Sequence, residues 1–194
     1  MSNSRLIVGV DAQFVRAVLK KRGAEPRVPY REFVDFLEEK NNEVLEIFAP
    51  AIRLPAQPRN PGDPVHSDNE KFYNYRAALE LQGVNVIEAP AKWSGTFLKH
   101  SDDQRLMIRL ALTCMRLKPD FLVLVAADGD YAPLVWGLRE EGIRTKLITD
   151  TTGVARELRA AAYSISDIFN ILQQLGVAEE TDSADYPQDF DAES

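Results

Sequence analysis

Phe121-Leu-Val-Leu-Val-Ala-Ala-Asp-Gly-Asp-Tyr-Ala-Pro-Leu-Val135 is the stretch of sequence that decides the fold. It opens with an unbroken apolar run after a Lys-Pro-Asp turn signal, which is typical of a buried strand in a parallel sheet. Asp128-Gly129-Asp130 follows directly. Carboxylates there are costly unless a cation meets them, and open α/β sheets bind ligands at the carboxyl ends of their strands. The stretch predicts an oxygen-ligand site for Mg²⁺ or Mn²⁺, and the alternative is a polar turn in which Asp130 caps the next helix.

The bulk composition indicates a globular chain with one main core. Its 194 residues are 45% hydrophobic, and no apolar run is long enough to span a membrane. The first residues lack the layout of a signal peptide, and the single cysteine, Cys114, excludes an intrachain disulfide and a cysteine-rich zinc site. We therefore expect a cytoplasmic protein with no membrane partner. The oligomeric state stays open, with a homodimer as one option.

The net charge of −7 argues at first sight against binding to nucleic acid. Seven acidic residues and no Lys or Arg lie in residues 177–194, so the rest of the chain has as many basic as acidic residues, 23 of each. A local basic patch is compatible with that balance. We predict one domain over residues 1–176 and an acidic, disordered tail over residues 177–194. The tail either aids solubility or competes with nucleic acid for the site.

A second apolar run, from Arg5 to Val10, also ends in an acid, Asp11. A helical pattern follows it, so Asp11 is either a third carboxylate at a strand end or the N-cap of that helix. Strand and helix patterns continue along the chain in the order β-α-α-β-α-β-α-β-α-β-α-α. This alternation predicts a three-layer α/β domain with a mostly parallel central sheet.

Proline shapes the predictions for the second strand and the loop after it. A strand over about Val44 to Ala49 is expected to break or bend at Pro50. Leu54 to Asp68 contains four further prolines and is predicted as a long loop, either a functional flap or a disordered segment. His66 in this loop is expected to be solvated.

Basic and aromatic residues alternate between Glu88 and His100, which we predict to be a loop. Such residues pair with phosphates and stack on bases, so Lys99 and Trp93 are candidate contacts to RNA or single-stranded nucleic acid. The alternative is that Trp93 and Phe97 fill the edge of the core.

The helix that begins near Ser101 contributes a fourth carboxylate. Ser101 to Gln104 has the spacing of a capping box. Asp103 continues the apolar stripe of the helix, whereas Asp102 points about 100° away from it. Arg105 and Arg109 flank this face and are candidate phosphate contacts.

Taken in chain order, these segments resemble the NYN family of PIN-like nuclease domains, in its bacterial LabA-like branch. The matching segments are Val8-Gly-Val-Asp11-Ala-Gln-Phe14, Lys99-His-Ser-Asp102-Asp103, Ala126-Ala-Asp128-Gly-Asp130-Tyr-Ala-Pro-Leu-Val135 and Ala162-Tyr-Ser-Ile-Ser-Asp167-Ile-Phe169. The resemblance spans about residues 5 to 175 and implies a Mg²⁺- or Mn²⁺-dependent ribonuclease site. Its ligands and catalytic acids are expected to be Asp11, Asp128, Asp130 and either Asp103 or Asp102; the lysine spacing selects Asp102 and the helix stripe selects Asp103.

Three positions depart from the family pattern. The family's Asn after the first Asp is Phe14, its small hydroxyl residue is Ala127, and a second acid in the helix is replaced near Arg109. These changes support a second hypothesis, a degenerate domain that binds RNA or a protein partner without cutting, in which an arginine pairs with the carboxylates instead of a metal. Toprim-like and haloacid-dehalogenase-like enzymes fit less well, because their acids follow different strands in chain order.

Overall fold

The structure, a computed structural model, describes residues 3–62, 65 and 69–177. The strands in this part of the chain are β1 Ser4–Val10, β2 Asn42–Arg53, β3 Val84–Pro90, β4 Lys92–Ser94, β5 Phe97–Lys99, β6 Phe121–Val125, β7 Arg144–Thr149 and β8 Ser164–Asp167. The α-helices are α1 Ala12–Lys21, α2 Tyr30–Glu38, α3 Asn69–Glu80, α4 Asp102–Leu117, α5 Ala132–Glu140, α6 Arg156–Ala161 and α7 Ile168–Gln174. A 3₁₀ turn, Gly129–Tyr131, precedes α5.

The central sheet has six strands in the order β3-β2-β1-β6-β7-β8, and every neighbouring pair is parallel. The predicted α/β class with a mostly parallel sheet is confirmed. The apolar run of β6 lies between β1 and β7, and Leu122 to Val125 are almost completely buried. Its continuous hydrophobicity follows from helices covering both faces.

Alternate residues of β1 point to opposite faces of the sheet and so supply two cores. Leu6, Val8 and Val10 pack on one face with residues of α1, α2, α3 and α7, whereas Ile7 packs on the other face with α4, α5 and α6. The result is the predicted three-layer arrangement. None of the described helices is long and apolar enough to cross a membrane.

Helix α4 packs unusually close to β1. A Cβ atom built on Gly9 lies 2.5 Å from Cδ1 of Leu110, a distance that real side chains do not show. Since Leu110 is completely buried, it has little room to move away. Glycine at position 9 thus lets α4 approach the sheet and places the first turn of α4 beside the end of β1.

The prediction that Pro50 ends or bends the second strand is wrong, because β2 continues to Arg53. Strand β1 pairs with β2 only as far as Gly9 and Phe48, so Pro50 has a strand partner on one side only, β3. Proline is tolerated where one side of a strand lacks a partner, since no ladder bond is lost there.

The prediction of a loop from Glu88 to His100 is also wrong. Strand β3 runs to Pro90, and β4 and β5 form an antiparallel hairpin around Gly95, whose φ is +62°. Strands of three residues are too short to show an alternating pattern, which is why the sequence did not indicate them. Edge strand β8 was missed for a similar reason.

The loop predicted after β2 and the tail are only partly within the described residues. Residues 54–62 of the loop form neither helix nor strand, and His66 of the same loop lies outside the described part. Residues 178–194 of the predicted acidic tail also lie outside it. The division into a domain over residues 1–176 and a tail over residues 177–194 therefore stays a prediction.

Candidate functional site

The ends of β1 and β6 meet at the carboxyl edge of the sheet. The backbone N–H of Asp11 donates to the carbonyl of Val125 at 2.9 Å, so the residue after β1 is joined to the last residue of β6. Asp128 follows β6 by three residues. Neighbouring parallel strands thus bring the two predicted strand-end acids to the same edge.

Asp11 caps α1 and remains available for a ligand. Its Oδ1 accepts hydrogen bonds of 3.0 Å from the backbone N–H groups of Gln13 and Phe14. The N-cap alternative is therefore correct for one of the two carboxylate oxygens. No described residue donates to its Oδ2. Burial, together with the charges of Asp103 and Asp102, raises the pKa of Asp11 to about 6, although the hydrogen bonds from Phe14 and Gln13 lower it. The carboxylate is therefore buried beside other acids, and no described Lys or Arg forms a salt bridge with it.

Asp128, and not Asp130, caps the helical segment after β6. Its Oδ1 accepts from the backbone N–H of Asp130 at 3.0 Å, which corrects the expectation that Asp130 is the cap. Both side chains are exposed. The main influences on the pKa of Asp103 include Asp128 and do not include Asp130. Asp128 thus joins the other acids electrostatically.

Asp103 is held by a residue that sequence reasoning missed. The hydroxyl of Tyr131 donates to its Oδ1 at 2.9 Å, and no described residue donates to its Oδ2. Burial raises the pKa of Asp103, followed by the charges of Asp102 and Asp128, while the hydrogen bond from Tyr131 lowers it. The aromatic residue directly after Asp-Gly-Asp was visible in the sequence, but its link to α4 was not.

Asp102 is more deeply buried than Asp103, although helical spacing places it about 100° away from the apolar stripe of α4. It is 1% exposed; Gln13 Nε2 donates to its Oδ2, and His100 Nδ1 contacts its Oδ1. The apolar stripe of α4 faces the sheet along the body of the helix. In the first turn of α4, Asp102 instead contacts Gln13 of α1 and His100. Gln13 and His100 were also missed, although both stand within two residues of a motif acid.

The carboxylates supply oxygen donors that suit Mg²⁺ or Mn²⁺. Asp11, Asp103 and Asp128 each have one oxygen fixed by a hydrogen bond and one that no described residue fills. In the part of the chain that the structure describes, however, no three His, Cys, Asp or Glu side chains are grouped closely enough to hold a metal ion. The oxygen donors suit such an ion, and Asp11, Asp103 and Asp128 would have to move closer together to bind it.

The predicted aromatic contact is only half-exposed. Trp93 donates from Nε1 to the carbonyl of Gln57 at 3.2 Å and so anchors the hairpin to the loop after β2. Phe97 is 76% exposed, which rules out its expected alternative role at the core edge. Lys99 is exposed and pairs across the hairpin with Lys92. One face of the hairpin therefore carries an exposed ring and two adjacent cations.

The two predicted arginines lie in different surroundings. Arg105 donates to Ser101 Oγ and to the carbonyl of Glu88, both at 3.2 Å, and Ser101 itself makes no side-chain cap, contrary to the capping-box prediction. Arg109 lines a separate depression with Glu80, about 10 Å along α4 from Asp102. Within the described residues, no arginine or lysine forms a salt bridge with the acids of the site.

Comparisons with known proteins agree with this architecture. The family model for the NYN domain matches residues 5–170. A protein of unknown function from Vibrio parahaemolyticus, VPA0982, has a similar structure with a TM-score of 0.62 and 18% identity, covering 86% of this chain and 94% of that one. A Glycyrrhiza uralensis protein, UGT73P12, has a TM-score of 0.31 and 14% identity, covering 75% of this chain and 28% of that one, too little to support an argument. A search of curated proteins finds no match.

Proposed function

We propose, since the chain belongs to the NYN domain family, that it is a metal-dependent, ribonuclease-like phosphodiesterase acting on RNA or other single-stranded nucleic acid. One observation carries the proposal. Asp11, Asp103 and Asp128 come from three different elements near one sheet edge, each with one oxygen held and the other without a described donor. Structural caps alone do not require that Asp103 helps to raise the pKa of Asp11, or that Asp128 helps to raise the pKa of Asp103.

Asp11, Asp103 and Asp128 are the proposed ligands of Mg²⁺ or Mn²⁺, with Asp130 as a further catalytic acid on the same turn. When bound, such an ion polarises a phosphate oxygen and lowers the pKa of a coordinated water. Asp102 is proposed as a positioning residue, because its two oxygens already contact Gln13 and His100. It fixes the first turn of α4, which carries Asp103, against α1.

The charge of the site explains why a cation is expected. Burial already favours the neutral form of Asp11, and the neighbouring carboxylates add repulsion. A bound dication removes both costs, so the proposal predicts that the free protein is less stable around neutral pH than the metal-bound protein.

The β4–β5 hairpin is the proposed contact to the nucleic acid chain. Lys92 and Lys99 face each other directly, and like charges in such a pair repel unless an anion lies between them. Phe97 on the same face offers a ring for stacking on a base, a role that we had predicted for Trp93. Arg105 lies close to this hairpin in sequence, whereas Arg109 is placed for a longer-range attraction to phosphates.

The second candidate is a degenerate domain that binds RNA or a protein partner without cutting. The absence, within the described residues, of a ready group of three metal-binding side chains favours it. Phe14 and Ala127 stand where the family pattern has an amide and a hydroxyl, which removes two polar groups from the site. Arg109 does not serve as a substitute for the metal, because it lines a different depression.

The test is cleavage of a labelled single-stranded RNA in Mn²⁺, with Asp128→Asn as the variant and Asp35→Asn as the control. Asp35 is an exposed acid on α2 whose one ion pair within the described residues is with Arg31, so both changes remove one surface charge. We expect cleavage to fall at least about 100-fold in Asp128→Asn and to stay unchanged in Asp35→Asn. Activity that survives in Asp128→Asn sinks the assignment. RNA binding without cleavage, and without Mn²⁺ binding in calorimetry, establishes the second candidate.

A further inference from the structure

A cavity of about 390 Å³ lies beside the acids, between α1 and α3. Its floor is the part of β2 that continues past the end of β1, including Ala51 and Ile52. Asp102 is one of its lining residues, and it precedes Asp103, one of the proposed metal ligands. The volume falls within the range of about 300–1,000 Å³ that small organic ligands occupy.

The lining combines flat apolar surface with positive charge. Tyr75 and Phe72 of α3 line one side, and Arg16 and Lys71 contribute two cations. Arg16 donates to the hydroxyl of Tyr75, and its guanidinium carbon lies 5.4 Å from the centroid of that ring. Neither cation forms a salt bridge with a described acidic residue. The cavity therefore offers stacking surface and cations that have no carboxylate partner in the described chain.

The lining also includes a polar side chain, that of the exposed residue Gln13, which is oriented by a hydrogen bond. The side-chain amide nitrogen of Gln13 donates to Asp102, which leaves Oε1 of Gln13 as the atom that can accept a hydrogen bond. Both oxygens of Asp102 are engaged and its side chain is almost fully buried. An aromatic wall, two cations and one acceptor suit a planar base with amino or hydroxyl groups and a phosphate attached.

We propose that this cavity binds one unpaired nucleoside of a single-stranded RNA, adjacent to the phosphodiester received by the acids. The proposal rests on the proposed function for the position of that phosphodiester. A base inside a duplex is stacked and paired and cannot enter the cavity without being extruded. The cavity thus makes the protein selective for single-stranded over double-stranded RNA.

The test measures RNA binding without cleavage, in the Asp128→Asn background. Fluorescence anisotropy compares a labelled six-nucleotide RNA with the same strand annealed to its complement. Tyr75→Ala removes the ring, and Tyr75→Phe is its matched control. Lys71→Ala removes one cation beside the cavity, and Lys40→Ala removes an exposed cation near the opposite edge of the sheet, before β2. Circular dichroism confirms that each variant is folded.

We expect Tyr75→Ala to weaken single-strand binding about 5- to 150-fold, which corresponds to the loss of one base–aromatic stack. Tyr75→Phe is expected to change it less than about twofold, Lys71→Ala to weaken it more than Lys40→Ala does, and duplex binding to stay the same. Equal affinities of Tyr75→Ala and Tyr75→Phe, or equal losses for single strand and duplex, overturn the proposal.

Leu54→Trp provides a second test of RNA binding if Tyr75→Ala does not fold. Leu54 is half-buried in the loop after β2 and lines the cavity, so an indole there occupies the space of the base. Weaker single-strand binding is expected, and unchanged binding rejects the proposal. The outcome is separate from that of the nuclease assignment, because wild-type cleavage is measured independently. If single-stranded RNA binding depends on Tyr75 but the wild-type protein does not cleave RNA, the cavity proposal stands and the nuclease proposal is rejected.

Discussion

Tyr131 donates a 2.9 Å hydrogen bond from its hydroxyl to Oδ1 of Asp103. Tyr131 is completely buried and ends the 3₁₀ turn after Asp-Gly-Asp, while Asp103 lies in the first turn of α4. The bond therefore joins the loop after β6 to α4, the helix that carries Asp102 and Asp103. Because burial raises the pKa of Tyr131 above its usual value, the phenol keeps its proton and remains a donor at neutral pH.

Replacing Tyr131 with Phe is expected to lower Mn²⁺ affinity and RNA cleavage about 10- to 100-fold, since residues that orient a metal ligand have effects of this size. The free energy of unfolding should fall by only about 1 kcal/mol, because half-buried Asp103 can be hydrated in place of its lost partner. Cleavage as a function of Mn²⁺ concentration and urea unfolding measure the two effects.

Tyr30→Phe is the matched control for that variant. The hydroxyl of Tyr30 is also buried, but it has no hydrogen-bond partner among the described residues. Its removal should leave cleavage unchanged and stability unchanged or slightly higher. A loss of cleavage as large as that of Tyr131→Phe shows that a general packing defect is responsible.

The pKa of Asp11 predicts how stability depends on pH. A carboxyl with a folded-state pKa of about 6, against 3.8 when unfolded, binds its proton more tightly in the folded protein. The unfolding free energy contributed by this group therefore rises as pH falls from about 7 to about 4, by up to roughly 3 kcal/mol, and is lost again as pH rises through 6. Thermal unfolding in EDTA across this range measures the trend.

Asp11→Asn should remove much of this dependence while keeping the helix cap, because asparagine is an equally good N-cap. We expect the variant to be more stable than the wild type at pH 7.5 in EDTA and to gain less from added Mn²⁺. Identical pH profiles for the two proteins mean that another group is responsible.

The exposed face of the hairpin predicts a contribution to RNA affinity. Phe97→Ala should weaken single-stranded RNA binding several-fold, because base–aromatic stacking contributes about 1–3 kcal/mol. Leu81→Ala is the control, since Leu81 is 87% exposed in the turn after α3. Substituting Lys92 and Lys99 together should reduce the dependence of log affinity on log salt concentration by about 1.4, as expected for two phosphate contacts to a single strand. An unchanged salt dependence excludes these contacts.

The close approach of α4 to β1 predicts a cost for any side chain at position 9. Gly9→Ala should lower the free energy of unfolding by about 1–3 kcal/mol, because Leu110 must move within a packed core. Gly137→Ala is the control, since nothing lies within 4 Å of a Cβ there and alanine favours a helix. Leu110→Ala should cost less in the Gly9→Ala background than in the wild type, because the smaller side chain relieves the overlap. Chemical denaturation of the wild type, the three single variants and the double variant measures these differences.

The sequence was sufficient for features that depend on contiguous patterns. The apolar runs before Asp11 and Asp128 predicted two parallel strands, and the backbone hydrogen bond between Asp11 and Val125 places their ends together. Features that depend on neighbours distant in sequence were not predictable. Asp102 accepts a hydrogen bond from Gln13, which lies 89 residues away, and Asp103 accepts one from Tyr131, 28 residues away. The three-residue strands of the hairpin are too short for their periodicity to be recognised.

The continuation of β2 past Phe48 makes the carboxyl edge of the sheet stepped instead of straight. Residues 49–53 form a ledge of about 16 Å on which no β1 strand lies. Since the ledge belongs to the sheet backbone, it is rigid before any nucleoside arrives and provides little discrimination among bases. Divergence in base preference among related chains is therefore expected at the helix positions above the ledge, 13, 16, 71 and 75, while the ledge itself only has to remain small and apolar.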